Sequence, residues 1–150
     1  MKPATRLRLL MAIWPPFRFA GIRVPTIAED FSHARVELRL HWYNRNYVGA
    51  HFGGNLFSMT DPFWMLLLMQ RLGPDYMVWD RAGEISFEKP GRGTVHAEFH
   101  VDPAVVDAIR DAAAGGDKVL RWFETEVRDQ AGDVVARVRK QIYVRRKRGR

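Results

Sequence analysis

The sequence predicts an α+β protein in which an antiparallel β-sheet wraps around a central apolar α-helix. Two patterns carry this expectation. Residues Phe63 to Met69, "FWMLLLM", have no polar face, so a helix there must be enclosed on nearly every side. Segments before and after it, such as "ARVELRL" and "TVHAEFHV", alternate apolar with polar residues, which is the period of a half-buried strand. A sheet needs one face covered and such a helix needs covering all round, so wrapping one on the other serves both. A chain of 150 residues that is 47% hydrophobic fits one domain, 1–150, better than two.

The elements follow in order. Residues 1–20, "MKPATRLRLLMAIWPPFRFA", superficially resemble a secretory leader, but Arg8 interrupts the apolar run and Pro15 and Pro16 close it early. The segment therefore reads as an N-terminal helical extension laying an apolar face on the core, and a cytoplasmic location is the expectation. In "GIRVPTIAED" and "ARVELRL" two half-buried strands are expected, the first broken by Pro25 and the second placing Val36, Leu38 and Leu40 on one face. "HWYNRNYVGAHFGG" reads as a loop, and the apolar helix after it stops at Gly73 with Pro74 beyond. "EISFEK" and "TVHAEFHV", on either side of "GRG", are expected to form a hairpin. Asp102 and Pro103 then open a short inserted helix with Val106, Ile109 and Ala113 on one face, ended by Gly115 and Gly116. The closing segments meet at "DQAGD" in a long antiparallel hairpin whose second strand buries Val134, Ala136, Val138, Ile142 and Val144. No role follows for "VWD", Val78 to Asp80. One sheet cannot enclose the helix completely, which predicts a homo-oligomer with strands continued across the interface.

Composition excludes several chemistries. There is no cysteine, hence no disulfide framework, thiolate nucleophile or cysteine zinc site, and no metal ligands are assigned. The run Phe63 to Met69 is far shorter than the roughly 18 residues of a membrane span, so none is expected. The formal charge is +7, and the basic tail 145–150, "RRKRGR", supplies five of the positives. It reads as a solvated, partly disordered end; no motif with interleaved stacking aromatics accompanies it, so nucleic acid is not expected as a partner.

Three polar side chains cluster in sequence around a glycine pair: Asn46 and His51 before it, Asp61 after it. "TDP" is a good helix start, with Thr60 or Asp61 as N-cap and Pro62 at the first helical position. The competing reading starts the helix at Gly54, which makes Pro62 a kink and leaves Asp61 on an apolar helix in need of a partner. Local sequence leaves both open.

"NYVGAHFGGNLFSMTD" resembles a segment of the hotdog-fold acyl-CoA thioesterases of the phenylacetate type. There an Asn and a Gly precede a His-Gly-Gly, and a helix carries an acid seven residues after the second glycine. Asn46, Gly49, Gly53, Gly54 and Asp61 fall on that pattern. "ISFEKPGRGTVHAEF" is similar to the same family's strand, proline-glycine turn and strand, and the order of elements from Gly21 to Val144 is hotdog-like. The nearest likeness is to the DUF4442 branch of that superfamily. One departure is that Phe52 stands where the family has His, with His51 one residue earlier.

The resemblance implies a hotdog fold and hydrolysis of an acyl-CoA thioester at a site shared between two subunits of a dimer or dimer of dimers. Asp61 would be the general base or nucleophile, facing the glycine pair of the partner subunit, so a monomer would be inactive. Asn46 would orient a reactant, and His51 would either join it or serve as a hydrogen-bonded core histidine. The Gly53 and Gly54 amides would stabilise charge on the carbonyl oxygen, since no Cβ blocks approach. No cofactor is implied beyond coenzyme A as part of the substrate, whose phosphates would meet Arg45, Lys89 and Arg92. Phe52, Phe57 and Trp64, with Phe63, would line an apolar slot for the acyl group. Two alternatives stand beside this reading: a noncatalytic acyl-CoA or lipid-binding hotdog protein, and an acyl-thioester hydratase or dehydratase, to whose His-Phe "AHF" is similar.

Overall fold

The computed structural model describes residues 1–149. Helices α1 (Pro3–Ile13) and α2 (Pro15–Ala20) precede strands β1 (Ile22–Ile27) and β2 (His33–Arg39). Pro15 and Pro16 do not end the N-terminal helical region but begin its second helix, because a proline at the first helical position lacks an N–H that would have no partner there anyway. Ala4, Met11 and Phe17 bury the expected apolar face. After a loop come α3 (Gly53–Ser58), α4 (Phe63–Leu72), β3 (Tyr76–Phe87), β4 (Thr94–His100), α5 (Pro103–Ala113), β5 (Val119–Arg128) and β6 (Val134–Arg146).

The strands form one six-stranded antiparallel sheet in the order β1-β2-β4-β5-β6-β3. Its inner face supplies Val36, Leu38, Val95, Ala97, Phe99, Val127, Val138 and Ile142 to the core, against Phe63, Trp64, Leu67 and Leu68 of α4. The last hairpin forms as expected, β5 pairing with β6. The expected hairpin across "GRG" does not form. β3 pairs with β6 while β4 lies between β2 and β5, so residues 88–93 carry the chain from one edge of the sheet to its middle. β3 also begins well before "EISFEK", taking in the "VWD" that the sequence left without a role.

The two edges differ. β1 contains Pro25, which cannot donate to a further strand, and α1 packs against it. β3 runs for 12 residues without a proline and, among the described residues, pairs with β6 alone. The central helix is also incompletely covered: Phe63, Trp64, Leu67, Leu68 and Leu72 are buried, whereas Met69 is exposed. No helix among the described residues is long and apolar enough to cross a membrane. The C-terminal tail is not a free end throughout. Arg145 and Arg146 belong to β6, Arg145 Nε donates to Gly116 O at 2.8 Å, and Lys147 N donates to Asp75 O at 2.8 Å; Arg150 lies outside the described residues.

Candidate active site

The loop of residues 41–52 is held in shape by two asparagines. Asn44, buried and not singled out from sequence, accepts from His41 N at 2.7 Å and donates to Ala20 O and Arg39 O at 3.0 and 2.9 Å. Asn46 Oδ1 accepts from Val48 N and Ala50 N at 3.1 and 3.0 Å, and its amide nitrogen donates to His51 O at 3.4 Å. In this structure Asn46 is thus a loop staple, with its carbonyl oxygen already used and one amide N–H spent on His51 O.

The staple delivers Gly53 and Gly54 to the first two positions of α3, where helix geometry leaves backbone N–H groups without an intrahelical acceptor. A Cβ at Gly53 would come 2.8 Å from Phe87 Cζ, and one at Gly54 would come 2.5 Å from a ring carbon of Phe52. Close approach explains both glycines. Gly53 borders an open cleft of about 400 Å3 whose lining also includes Asn46, His51, Leu56, Phe87 and Gly91.

His51 is buried, and its Nε2 lies 2.8 Å from Gly93 O, so that nitrogen carries the proton and donates. Nδ1 is left as a buried acceptor without a partner among the described residues. Burial holds the imidazole below its ordinary pKa, against a smaller opposing effect of the Gly93 hydrogen bond. It is a neutral core histidine beside the cleft.

Asp61 fits neither sequence reading in full. The helix does begin at the glycines, but it breaks after Ser58 and resumes at Phe63, so Asp61 sits on the turn between α3 and α4. Neither Asp61 nor Thr60 caps α4; Thr60 Oγ1 donates back to Phe57 O at 2.8 Å. The carboxylate instead pairs with Lys140, whose Nζ also donates to Asp61 O at 3.0 Å and to Asp80 Oδ2 at 3.0 Å. Lys140 is nearly enclosed, with a side chain 5% exposed, whereas the Asp61 side chain is 57% exposed. Burial raises the Asp80 carboxyl above its usual range, Lys140 partly offsets this, and the negative charge of Asp61 adds to the rise. A buried ammonium thus ties a loop carboxylate to a strand carboxylate. Lys140 was legible in principle: it shares the phase of Val134, Ala136, Val138, Ile142 and Val144 on β6, and so points inward.

The remaining expected residues separate. Trp64 is 1% exposed between Phe99 and Phe123, with ring centroids at 4.8 and 5.8 Å, and with Phe63 it belongs to the core rather than to a substrate slot. Phe57 is half-buried beside the lysine cluster, its ring centroid 5.9 Å from Lys140 Nζ, and Phe52 is exposed. Lys89 is taken by Asp129 and Asp133, each at 2.8 Å, which strengthen its hold on its proton and neutralise it as a phosphate ligand. Arg92 Nη1 donates to Gly49 O at 3.0 Å from an exposed position, and Arg45 is exposed where its backbone bridges to His51.

With this geometry in place, the fold is recognisable as the α+β hotdog fold of thioesterase-like proteins. Protein PA5026 of Pseudomonas aeruginosa, described as a probable thioesterase of unknown function, superposes with a TM-score of 0.87 at 18% identity over 96% of both chains. The PaaI protein of the E. coli phenylacetic acid degradation operon superposes with 0.66 at 18% identity, over 97% of this chain and 92% of the other. A hypothetical thioesterase of Streptococcus pneumoniae TIGR4, solved with coenzyme A, gives 0.59 at 15% identity, over 87% and 91%. Comparison with curated protein sequences gives no match. Residues 4–144 match the family described as Domain of unknown function (DUF4442), and the chain belongs to it.

Proposed function

We propose that the protein hydrolyses acyl-CoA thioesters as a homodimer, with Asp61 of one subunit facing Gly53 and Gly54 of the other. The observation that carries this reading is the placement of Asp61: its carboxylate stands at the surface on a helix-breaking turn, held by the buried Lys140, which is ionically anchored to β3. β3 is the open edge of the sheet, and Trp42, Tyr47, Val48 and Phe52 of the glycine loop are exposed, an apolar surface that a second chain would cover.

In this mechanism Asp61 takes a proton from water as the water oxygen attacks the thioester carbonyl carbon. Negative charge developing on the carbonyl oxygen is met by the first-turn amides of Gly53 and Gly54. Collapse expels the coenzyme A thiolate, which takes the proton back from Asp61, and the carboxylic acid leaves. Direct attack by the carboxylate, through an anhydride, is the other chemistry open to the same group. Lys140 fixes the carboxylate in either case, and Arg45 and Arg92 are the cations left to meet the phosphates of coenzyme A. The Streptococcus pneumoniae relative, solved with that molecule, supports the choice of substrate class.

The test is release of free thiol from a panel of acyl-CoAs. Asp61→Asn is expected to lower turnover by about 100-fold or more with the fold intact; unchanged turnover would remove Asp61 from the mechanism. Single turnover in oxygen-18 water gives a positive test of the second chemistry, since label in the Asp61 carboxylate would require an anhydride opened by water at the aspartyl carbon. One observation favours a noncatalytic acyl-CoA-binding protein instead: the Asp61 carboxylate is already engaged by Lys140. That reading expects acyl-CoA to raise the unfolding temperature with no thiol released.

A further inference from the structure

A separate cluster occupies the outward face of the sheet. The antiparallel register of β2 and β4 sets His33 opposite His100 and Arg35 opposite Glu98. Alternation points these four side chains away from the core, while Ala34 and Phe99 point into it. Glu98 Oε2 lies 3.8 Å from His33 Nε2 and 3.7 Å from His100 Nε2, and one ligand atom from each of the three residues lies within 4.8 Å of the other two. These separations are too long for hydrogen bonds. The two carboxylate–imidazole separations are close to the roughly 3.4 Å edge of a tetrahedron whose ligands stand about 2.1 Å from a zinc ion, and the two imidazoles stack with centroids 4.5 Å apart, so binding would turn one ring to bring both lone pairs onto the ion.

Two further observations point the same way. His33 Nε2 is buried and has no hydrogen-bond partner among the described residues, which is costly unless something else fills its lone pair. The other oxygen of Glu98, Oε1, accepts from Arg35 Nη1 at 2.9 Å, and Arg35 Nε donates in turn to Glu37 at 3.0 Å. That anchoring turns Oε2 toward the two imidazoles, as an outer-shell partner does for a metal-ligating carboxylate.

We propose that His33, Glu98 and His100 form a binding site for a divalent transition-metal ion of the zinc class, with water completing the coordination. Two imidazoles and one carboxylate favour such an ion over magnesium or calcium, which prefer all-oxygen sites. The ion would clamp the start of β2 to the end of β4, and the inference is independent of the Asp61 chemistry. The set is hidden in the sequence, because the register of two strands distant in the chain assembles it.

The experiment uses the untagged chain, stripped with chelator and titrated with Zn2+ by calorimetry and with Co2+ by visible absorption. One ion per chain is expected, with tetrahedral Co2+ bands and a higher unfolding temperature in Zn2+. The His33→Ala/His100→Ala double variant is expected to lose that ion, and Glu98→Gln to bind at least about 10-fold more weakly, each with an unchanged circular dichroism spectrum. Absence of Zn2+ and Co2+ binding by the wild-type chain, or undiminished stoichiometry and affinity in these variants, would overturn the proposal.

Discussion

At the scale of single residues, the decisive group is Lys140, a nearly enclosed ammonium shared by two carboxylates. Removing one partner of a buried pair costs about 3–5 kcal/mol, because it leaves the other charge uncompensated. Lys140→Met should therefore destabilise the protein by about 3 kcal/mol in urea titrations, as Asp80 loses its cation, and should lower turnover by freeing Asp61. Adding Asp80→Asn should recover most of the stability and none of the turnover. Recovery of both would make Lys140 merely structural. His51 gives a pH signature. Its folded pKa lies below the ordinary value of 6.5, so the unfolded chain takes up a proton that the native protein refuses as the pH falls below about 6.5. Stability contributed above that pH is lost on acidification. His51→Gln, which keeps a donor for Gly93, should lose less stability between pH 7 and 5 than the wild type. The slope left over belongs partly to His96, also held low by burial and next by the charge of Arg35. Spacing singled out Asn46, His51 and Asp61 around the glycine pair and the resemblance supplied their expected roles, whereas Lys140 was passed over although its phase on β6 turns it inward. The partners of these groups were not legible, because Asp80 meets Lys140 through a β3–β6 register interrupted by a bulge between Asp80 and Ala82.

At the scale of elements, strand periodicity located β2, β4, β5 and β6, and helix signals located α4 and α5. Pairing was harder, since "GRG" marks a turn without saying whether the chain returns beside itself or crosses the sheet. The break between α3 and α4 shows the same limit: "TDP" correctly signalled a helix start, and the glycines correctly signalled an earlier one, and the chain uses both. β3 carries the prediction at this scale. Arg81 falls at the bulge and has no register partner on β6, so a proline there spares the β3–β6 ladder while blocking addition of a further strand at the edge. Arg81→Pro should run as a monomer in light scattering with sheet content retained, and should release no thiol. A dimer of unchanged stability would place the interface elsewhere.

At the scale of the whole molecule, a helix without a polar face meets a sheet too small to enclose it, and the exposed Met69, the bare β3 edge and the apolar glycine loop are among the surfaces left uncovered, with Ile13 and Phe19 of the N-terminal helices. In the proposed dimer a second copy would cover these surfaces and bring its own glycine amides to Asp61. The most direct measurement mixes two chains disabled at different halves of that site, Asp61→Asn and Gly54→Val, the latter introducing a side chain whose Cβ first meets the exposed Phe52 ring. Each alone should be inactive. Co-refolded in equal amounts, they should regain about a quarter of wild-type thiol release, because half of the dimers are mixed and each mixed dimer holds one intact site. Mixed dimers that form and stay inactive would contradict a site built from Asp61 of one subunit and the glycines of the other.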